Sequence, residues 1–148
     1  MRLTTRSRYG TRMVMDIAKH EDHGPVRIQD TAERQNVSVN YLEVLIRELR
    51  KAGYIKSLRG PRGGHMLNIA PDRITLLDIV EVLEGDMHVV DCEKSPDMCS
   101  RREICVTKCI WRDMEKMIRR KLTSLTIKDL LRMDAEARSS DAEDFCVS

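Results

Sequence analysis

The sequence has few aromatic residues: three Tyr, one Trp and one Phe make up 3% of its 148 residues. Leu, Ile and the nine Met must therefore supply most of the apolar volume of a core. No apolar run reaches the roughly 20 residues that a membrane-spanning helix needs, since the most apolar stretch, residues 74–83, contains Asp78 and Glu81. The first ten residues are too polar for a secretory signal. These absences argue against a membrane or secreted protein, and we expect a cytoplasmic one without a membrane partner.

The sequence also lacks the residue patterns that indicate catalysis. No paired acid and base, and no nucleophile beside a base, stands out. We therefore do not expect an enzyme. In a cytoplasmic protein the five Cys are interpreted as free thiols or metal ligands, not as a disulfide framework.

The small net charge of +2 averages two unlike halves. Residues 1–64 contain 13 Lys and Arg against 7 Asp and Glu, a net charge of +6. Residues 65–148 contain 13 Lys and Arg against 17 Asp and Glu, a net charge of −4. A basic first half favours a module that binds an anionic partner such as nucleic acid.

Helical periodicity dominates the chain, and one segment has the pattern of a β-hairpin. We predict helices over residues 4–19, 29–35, 38–52, 75–83 and 105–121, a short helix after Thr126, and strands over 54–58 and 65–69. Three helices followed by a two-stranded hairpin are typical of a winged helix-turn-helix. The predicted fold class is therefore mainly α with a small β-hairpin.

The helix that begins after Ser38 separates into two faces. Leu42, Leu45, Ile46 and Leu49 recur at core spacing, and the opposite face is polar. As the second helix of the turn pair, it would present Asn40 and Glu43 to base edges in the major groove. A solvated helix face is the alternative interpretation. The candidate DNA-contacting residues of this helix are Ser38, Asn40, Tyr41, Glu43, Arg47 and Arg50.

The hairpin tip, residues 59–64, contains Arg59 and Arg62 among three Gly and one Pro. A narrow tip that carries Arg fits the minor groove, where the negative potential of DNA is strongest. An ordinary turn with two surface arginines is the alternative. The tip and the polar helix together favour DNA binding.

Four of the five Cys fall at Cys92, Cys99, Cys105 and Cys109, in the pattern C-x6-C-x5-C-x3-C. This spacing differs from the paired C-x2-C of structural zinc sites. Four thiolates can nevertheless hold zinc or an iron–sulfur cluster. Reduced free thiols are the alternative. Cys105 and Cys109 are four residues apart, so on a helix they would share a face.

Specific motifs identify a resemblance. The start MRLTTRSRYG, the segment VNYLEVLIRELRKAGYIKSLRGPRGGHML at residues 39–67, the spaced cysteines and CIWRDM at 109–114 resemble the IscR/NsrR-type family of bacterial winged-helix regulators. The resemblance spans about residues 1–133 and is closest to the IscR branch. It implies a homodimer on a palindromic operator in double-stranded DNA, and sensing of iron–sulfur, nitric oxide or redox status.

Many members of this family bind an iron–sulfur cluster through three cysteines, which Cys92, Cys99 and Cys105 match. The resemblance favours a 2Fe-2S cluster, with 4Fe-4S as the other type. The fourth ligand departs from the family: Lys108 stands where IscR-like members have His, and Arg8 stands where NsrR-like members have Asp. Cys109 is the candidate replacement, ahead of Glu103, Asp91 and His88.

The resemblance also divides the chain. It implies a DNA-binding domain at residues 1–84, a cluster-binding loop at 85–104, and a dimerisation helix with a short final helix at 105–133. The acidic segment 134–148 is expected to be disordered. The expected dimerisation residues are Ile110, Met114, Met117 and Ile118.

The leading hypothesis is a regulator, mainly a repressor, that senses through its cluster. A cluster-free regulator that responds through thiol oxidation, zinc or a protein partner is the alternative. A metal or redox carrier that does not bind DNA is the third hypothesis, and the basic hairpin tip argues against it.

Overall fold

The computed structural model describes residues 3–90, 100 and 102–139. The described elements are α1 (Thr5–His20), α2 (Ile28–Gln35), α3 (Val39–Lys51), β1 (Ile55–Leu58), β2 (Gly64–Leu67), α4 (Leu76–Glu84), α5 (Thr107–Thr123) and α6 (Ile127–Ser139). Strands β1 and β2 form an antiparallel hairpin that pairs Ile55 with Leu67 and Leu58 with Gly64. The predicted winged helix-turn-helix fold is confirmed. Within the described residues, no helix combines the length and apolar character needed to cross a membrane.

Polar side chains determine where the helices begin. Thr4 accepts a hydrogen bond from the Arg6 N–H, and Ser38 accepts one from the Tyr41 N–H. Thr75 and Asp78 form the predicted capping box at the start of α4. These caps satisfy N–H groups that have no partner inside the helix. Short polar motifs thus place the starts of three helices.

Aliphatic side chains from α1, α3 and α4 form the core. The fully buried apolar residues are Met13, Val14, Ile17, Leu42, Leu45, Leu49, Ile55, Ile74, Ile79 and Ile127. Methionine contributes less than the composition indicates, because Met114 and Met117 are exposed. Ile, Leu and Val therefore compensate for the shortage of aromatic residues.

The last helix is longer than predicted and belongs to this core. Ile127 is fully buried, and its N–H donates to the Ile74 carbonyl at 2.9 Å. Helix α6 continues to Ser139, so the expectation that disorder begins at residue 134 is wrong for residues 134–139. The helix continues because its inner side packs on α1, where Lys19 contacts Asp134 at 3.1 Å. Residues 140–148, which include Cys146, lie outside the described residues.

A buried carboxylate connects α1 to α2. The Asp16 side chain is 3% exposed, and its two oxygens accept hydrogen bonds from Arg34 at 2.9 and 2.7 Å. Burial by itself raises the pKa of Asp16, but the hydrogen bonds from Arg34 and Gln35 outweigh it and hold the pKa below its ordinary value. The folded structure therefore favours the ionised form of Asp16.

We predict that Asp16→Asn lowers the free energy of unfolding by about 2 kcal/mol at pH 7, because it leaves Arg34 without its counter-charge in a partly water-accessible site. The stabilisation by Asp16 is present above the ordinary pKa of the carboxyl group and is lost as the pH falls through the lowered pKa. The difference in stability between the two proteins should therefore begin to shrink as the pH falls below about 4, and it should disappear below the lowered pKa. Urea unfolding across this pH range measures the difference.

The matched control is Asp113→Asn, since the Asp113 side chain is 71% exposed and lies 3.7 Å from Lys116. It should change stability by less than about 0.5 kcal/mol. Equal stability losses in the two variants would contradict a structural role for the Asp16 carboxylate.

Candidate DNA-binding surface and cysteine segment

Helix α3 has the two faces that its sequence predicts. Leu42, Leu45, Ile46 and Leu49 are buried. Of the candidate DNA-contacting residues, Ser38, Asn40, Glu43, Arg47 and Arg50 are exposed. Helix α3 therefore presents a mainly polar surface to solvent, which includes Arg47 and Arg50.

Tyr41 occupies a different position from the other candidates. It is half-buried, and its hydroxyl group forms a hydrogen bond of 3.0 Å with Thr5 on α1. Its ring meets the Tyr9 ring edge-on, with the ring centres 6.1 Å apart. Tyr41 thus connects α3 to the start of α1.

The wing, residues 55–67, presents both predicted arginines. Arg59 and Arg62 are exposed at its tip. Gly60 has a φ of +114°, and the Gly63 N–H donates to the Gly60 carbonyl at 2.9 Å. A Cβ atom at Gly63 would lie 2.3 Å from the Leu58 carbonyl oxygen, so this turn requires glycine. The glycines thus form the narrow turn that exposes the arginines.

Sequence analysis missed Arg27, which supports the wing tip. Its guanidinium group donates to the Pro61 carbonyl at 3.1 Å from a position just before α2. The Val26 N–H and carbonyl pair with His65 on β2 at 2.9 and 2.8 Å. The wing is therefore attached to the helix-turn-helix along one side. In the sequence, the Arg27–Pro61 contact is indicated only by a basic residue before α2.

His65 lies where the wing meets α3. Its Nδ1 is 2.9 Å from the Ser57 hydroxyl oxygen on β1. Burial and the charge of Arg50 lower the pKa of His65, against an opposing effect of Glu43. Strand β1 of the wing contacts α3, so the two candidate DNA-contacting elements adjoin each other and form one surface.

Arg6 joins three helices. Its Nε donates to the Leu83 carbonyl at the end of α4 at 2.8 Å, and its Nη2 pairs with Glu48 on α3. The adjacent Glu84 carboxylate accepts hydrogen bonds from the backbone N–H groups of Thr4 and Ser7 at 2.8 and 3.1 Å. The end of α4 leads into the cysteine segment, which we define as residues 85–109. Arg6 thus connects the end of α4 to the DNA-facing helix α3.

The cysteine segment is described only in part. Cys92, Cys99 and Asp91 lie outside the described residues, whereas Cys105 is half-buried and Cys109 is exposed. Helix α5 begins at Thr107, so the prediction that Cys105 and Cys109 share a helical face is wrong. Among the described residues, no group of three His, Cys, Asp or Glu is arranged to hold a metal ion.

The environment of Cys105 favours its thiolate. The Sγ atom lies 3.4 Å from the Thr107 hydroxyl oxygen, and hydrogen bonds from this hydroxyl and from the Lys108 N–H lower the pKa of Cys105. A thiolate is the form of cysteine that binds metals. Cys105 is therefore a suitable metal ligand, because iron–sulfur clusters and zinc bind thiolate sulfur.

Helix α5 has an unusual distribution of polar and apolar residues. None of its 17 residues is buried, and Ile110 and Met117 are 55% and 68% exposed. Its polar side instead faces the domain, where Arg119 contacts Glu81 on α4 at 2.7 Å and Glu115 lies 3.3 Å from His88. Of the remaining predicted dimerisation residues, Met114 is exposed and Ile118 is half-buried. An apolar stripe on a 17-residue helix thus faces away from its own protein.

Comparison with known proteins agrees with this geometry. A family model described as Rrf2, an iron-dependent transcriptional regulator, matches residues 3–133. Protein rrf2 of Nitratidesulfovibrio vulgaris is 48% identical over 132 residues, which cover 89% of this chain and 88% of that protein.

Two solved structures share the fold over most of their length. IscR of T. potens has a TM-score of 0.77 and 37% identity, covering 95% of this chain and 93% of that chain. CymR of B. subtilis, described as a global cysteine regulator, has a TM-score of 0.76 and 32% identity, covering 95% of this chain and 99% of that chain. These relatives are regulators and not enzymes, as predicted for this chain. The chain belongs to the Rrf2 family of DNA-binding transcriptional regulators.

Proposed function

We propose that this regulator is a homodimer that binds a palindromic operator, acts mainly as a repressor, and senses iron–sulfur, redox or nitric oxide status through a cysteine-ligated iron–sulfur cluster. The observation that carries the DNA-binding part is the single surface formed by α3 and the wing. Its exposed side chains suit the two grooves of DNA in different ways. The cluster part rests on the spaced cysteines and on the similarity to IscR proteins.

On DNA, the start of α3 enters the major groove. Asn40 suits adenine, and the Glu43 carboxylate accepts from the amino group of cytosine. A carboxylate without such a donor is unfavourable near DNA. Glu43 therefore lowers the affinity for sequences that lack cytosine at this position. Arg47 and Arg50 lie further along the helix, where they contact phosphates and set its register. Arg59 and Arg62 enter the neighbouring minor groove from the wing.

The apolar side of α5 forms the dimer interface. A contiguous apolar surface of this kind favours association, and closed two-fold symmetry is the commonest solution. Ile110, Met114, Met117 and Ile118 supply the contacts. The two-fold axis of such a dimer matches the symmetry of a palindromic operator.

Cys92, Cys99 and Cys105 hold the cluster, with Cys109 as the candidate fourth ligand. A 2Fe-2S cluster is favoured over 4Fe-4S, and zinc is the alternative occupant. When bound, the cluster supplies a centre that reacts with oxidants or nitric oxide. The protein contributes thiolates, and at Cys105 it contributes the Thr107 hydroxyl and the Lys108 N–H that stabilise the charged sulfur.

Two successive sets of contacts lead from α5 through α4 to the DNA-facing helix. On one side, Glu115 and Arg119 hold α5 against His88 and Glu81. On the other side, Arg6 joins the end of α4 to Glu48 on α3. Gain or loss of a cluster between α4 and α5 acts on both sets. Such a change alters operator affinity only if the two states of the segment favour different positions of α3.

A cluster-free regulator is the second candidate, because Cys109 is exposed and Cys105 is partly exposed. Thiols in such positions are open to oxidation. The similarity to CymR, described as a global cysteine regulator, also favours a sulfur-linked signal. In a cluster-free regulator, the contacts of Arg6, Glu115 and Arg119 respond instead to thiol oxidation, zinc or a protein partner.

We predict that Arg59→Gln combined with Arg62→Gln weakens operator binding about 10- to 100-fold, because two cationic DNA contacts are lost. The slope of log affinity against log salt should also become shallower. Fluorescence anisotropy with a duplex selected from random DNA measures both. The matched control is Lys128→Gln with Arg132→Gln, which removes the same charge from exposed positions on α6. Equal affinity in both double variants would contradict the role of the wing arginines, and a protein that binds no duplex at all would favour the carrier hypothesis.

The cluster hypothesis predicts a coloured protein after anaerobic purification, with iron and sulfide in equal amounts. Cys92→Ala should abolish the visible absorbance and change operator affinity, whereas Cys146→Ala should do neither. Cys109→Ala tests the fourth ligand. A colourless protein that contains zinc would contradict the cluster and favour the structural metal. Equal operator affinity with and without the cluster would refute sensing through it.

The dimer hypothesis predicts that Met117→Glu raises the dimer dissociation constant at least about 100-fold, since two-fold symmetry places two carboxylates in one apolar contact. Sedimentation analysis measures this constant. The control is Val44→Glu, which introduces the same charge at an exposed apolar position of α3. A dimer that tolerates Met117→Glu as well as it tolerates the control would show that α5 is not the interface.

A further inference from the structure

A cleft of about 480 Å³ opens between the second half of α1, the end of α2 and α6, and its lining contains neither wing residues nor cysteines. Its volume lies in the range of small-molecule sites. Met15 and Leu131 provide half-buried apolar surface within it, and charged side chains from all three helices line the rest. The cleft therefore places a small apolar surface beside charged groups from three helices.

The charges in this cleft are unbalanced. Four cations line it, on Arg12, Lys19, Arg34 and Arg138, against two carboxylates. With His20 neutral, the formal charge of the lining is +2. Concave surfaces of one charge sign concentrate their field and attract oppositely charged small molecules.

The cations of the cleft differ in whether a carboxylate already neutralises their charge. Arg34 is committed to Asp16, which is 3% exposed and also accepts from Gln35 at 3.2 Å. Lys19 and Arg138 share a single carboxylate, Asp134, at 3.1 and 3.0 Å. Two cations from α1 and α6 thus meet only one anion.

Arg12 has no carboxylate among the contacts of the described residues. Its Nε donates to the Gln35 side-chain oxygen at 2.9 Å, and its Nη2 donates to the Gln35 carbonyl at 2.9 Å. Its guanidinium carbon lies 5.4 Å from the centre of the Tyr9 ring. All of these are neutral partners, which hold the guanidinium group in place and leave its charge for an anion.

We propose that this cleft binds a small metabolite with two acidic groups, either a dicarboxylate or a phosphorylated carboxylic acid. Arg12 takes one acidic group, and Lys19 with Arg138 takes the other. A guanidinium group and an ammonium group bind a carboxylate or a phosphate through charge-assisted hydrogen bonds, and a ligand with a single acidic group makes them at only one end of the cleft. The apolar surface of Met15 and Leu131 receives the carbon chain between them.

Such a ligand has a route to the DNA-facing surface, and this effector role rests on the proposed regulator function. Arg12 contacts Gln35, the last residue of α2, and Asn36 follows in the left-handed conformation of the turn that leads to α3. Arg138 belongs to α6, which packs on α1. An anion that draws these two arginines together changes how the helix-turn-helix is held against α6.

The test is a calorimetric titration of the full chain, free of DNA, with succinate, 3-phosphoglycerate, inorganic phosphate and acetate as probes. We expect saturable binding of succinate or 3-phosphoglycerate at least about tenfold tighter than that of acetate or inorganic phosphate. Comparison of succinate with 3-phosphoglycerate, which each have two acidic groups, assigns the dicarboxylate or the phosphorylated acid. Arg138→Gln should weaken this binding about tenfold, as should Arg12→Gln if the first variant is unstable.

Arg132→Gln is the matched control, because its side chain is 69% exposed on the same helix, against 70% for Arg138, and it does not line the cleft. It should bind the probes as the original protein does. Flat titrations with every probe, or equal losses in the Arg138 and Arg132 variants, would overturn the site.

The same probes are then added to the complex with the selected duplex. A change in operator affinity that Arg138→Gln removes supports the effector role, and an unchanged affinity despite saturable binding overturns it. Failure of the regulator function has a different signature: no duplex binds under any condition, while the titrations still saturate.

Discussion

The close packing of α1 against α4 is the contact on which the rest of the structure depends. Gly10 on α1 permits it, because a Cβ atom there would lie 2.1 Å from the Leu83 Cδ1 atom, and Leu83 is buried. This approach brings the end of α4 within reach of Arg6, Thr4 and Ser7. Arg6 in turn reaches Glu48 on α3. One glycine thus allows a single helix to position both the start of the cysteine segment and the DNA-facing helix.

The two C-terminal helices use the same domain in opposite ways. Helix α6 buries Ile127 and packs on α1, so it belongs to the core. Helix α5 contacts the domain through ion pairs such as Arg119 with Glu81, and its apolar stripe faces outward. Exposed ion pairs contribute little stability, so α5 gains little from its own domain. Its exposed apolar stripe is unfavourable in water, which supports the proposed dimer interface.

Several elements were predictable because their signals are local. The apolar spacing of Leu42, Leu45 and Leu49 predicts the buried face of α3, since helical period alone decides which residues share a side. The capping box of Thr75 and Asp78 predicts where α4 begins, because donor and acceptor are three residues apart. The Gly-rich tip predicts the wing for the same reason. By contrast, the sequence of α6 after residue 134 is acidic and weakly apolar, which does not predict a helix. Its last turns depend on contacts with α1, such as that of Lys19 with Asp134.

The sequence by itself determined the helical periods, the caps, the hairpin and the candidate DNA-contacting residues on α3 and the wing. Each of these depends on residues that are neighbours in the chain or on one helical face. The tertiary structure decided that Arg27 supports the wing, that Arg6 joins α4 to α3, and that Arg12, Lys19 and Arg138 line one cleft. The contacts join residues far apart in the chain: Arg27 and Pro61 are 34 positions apart, and Lys19 and Asp134 are 115 positions apart. The packing of α1 against α4 and α6 brings the Arg6 contacts and the cleft residues together, and the pairing of Val26 with His65 holds the wing near Arg27, because these interactions depend on distance in space and not on distance along the chain.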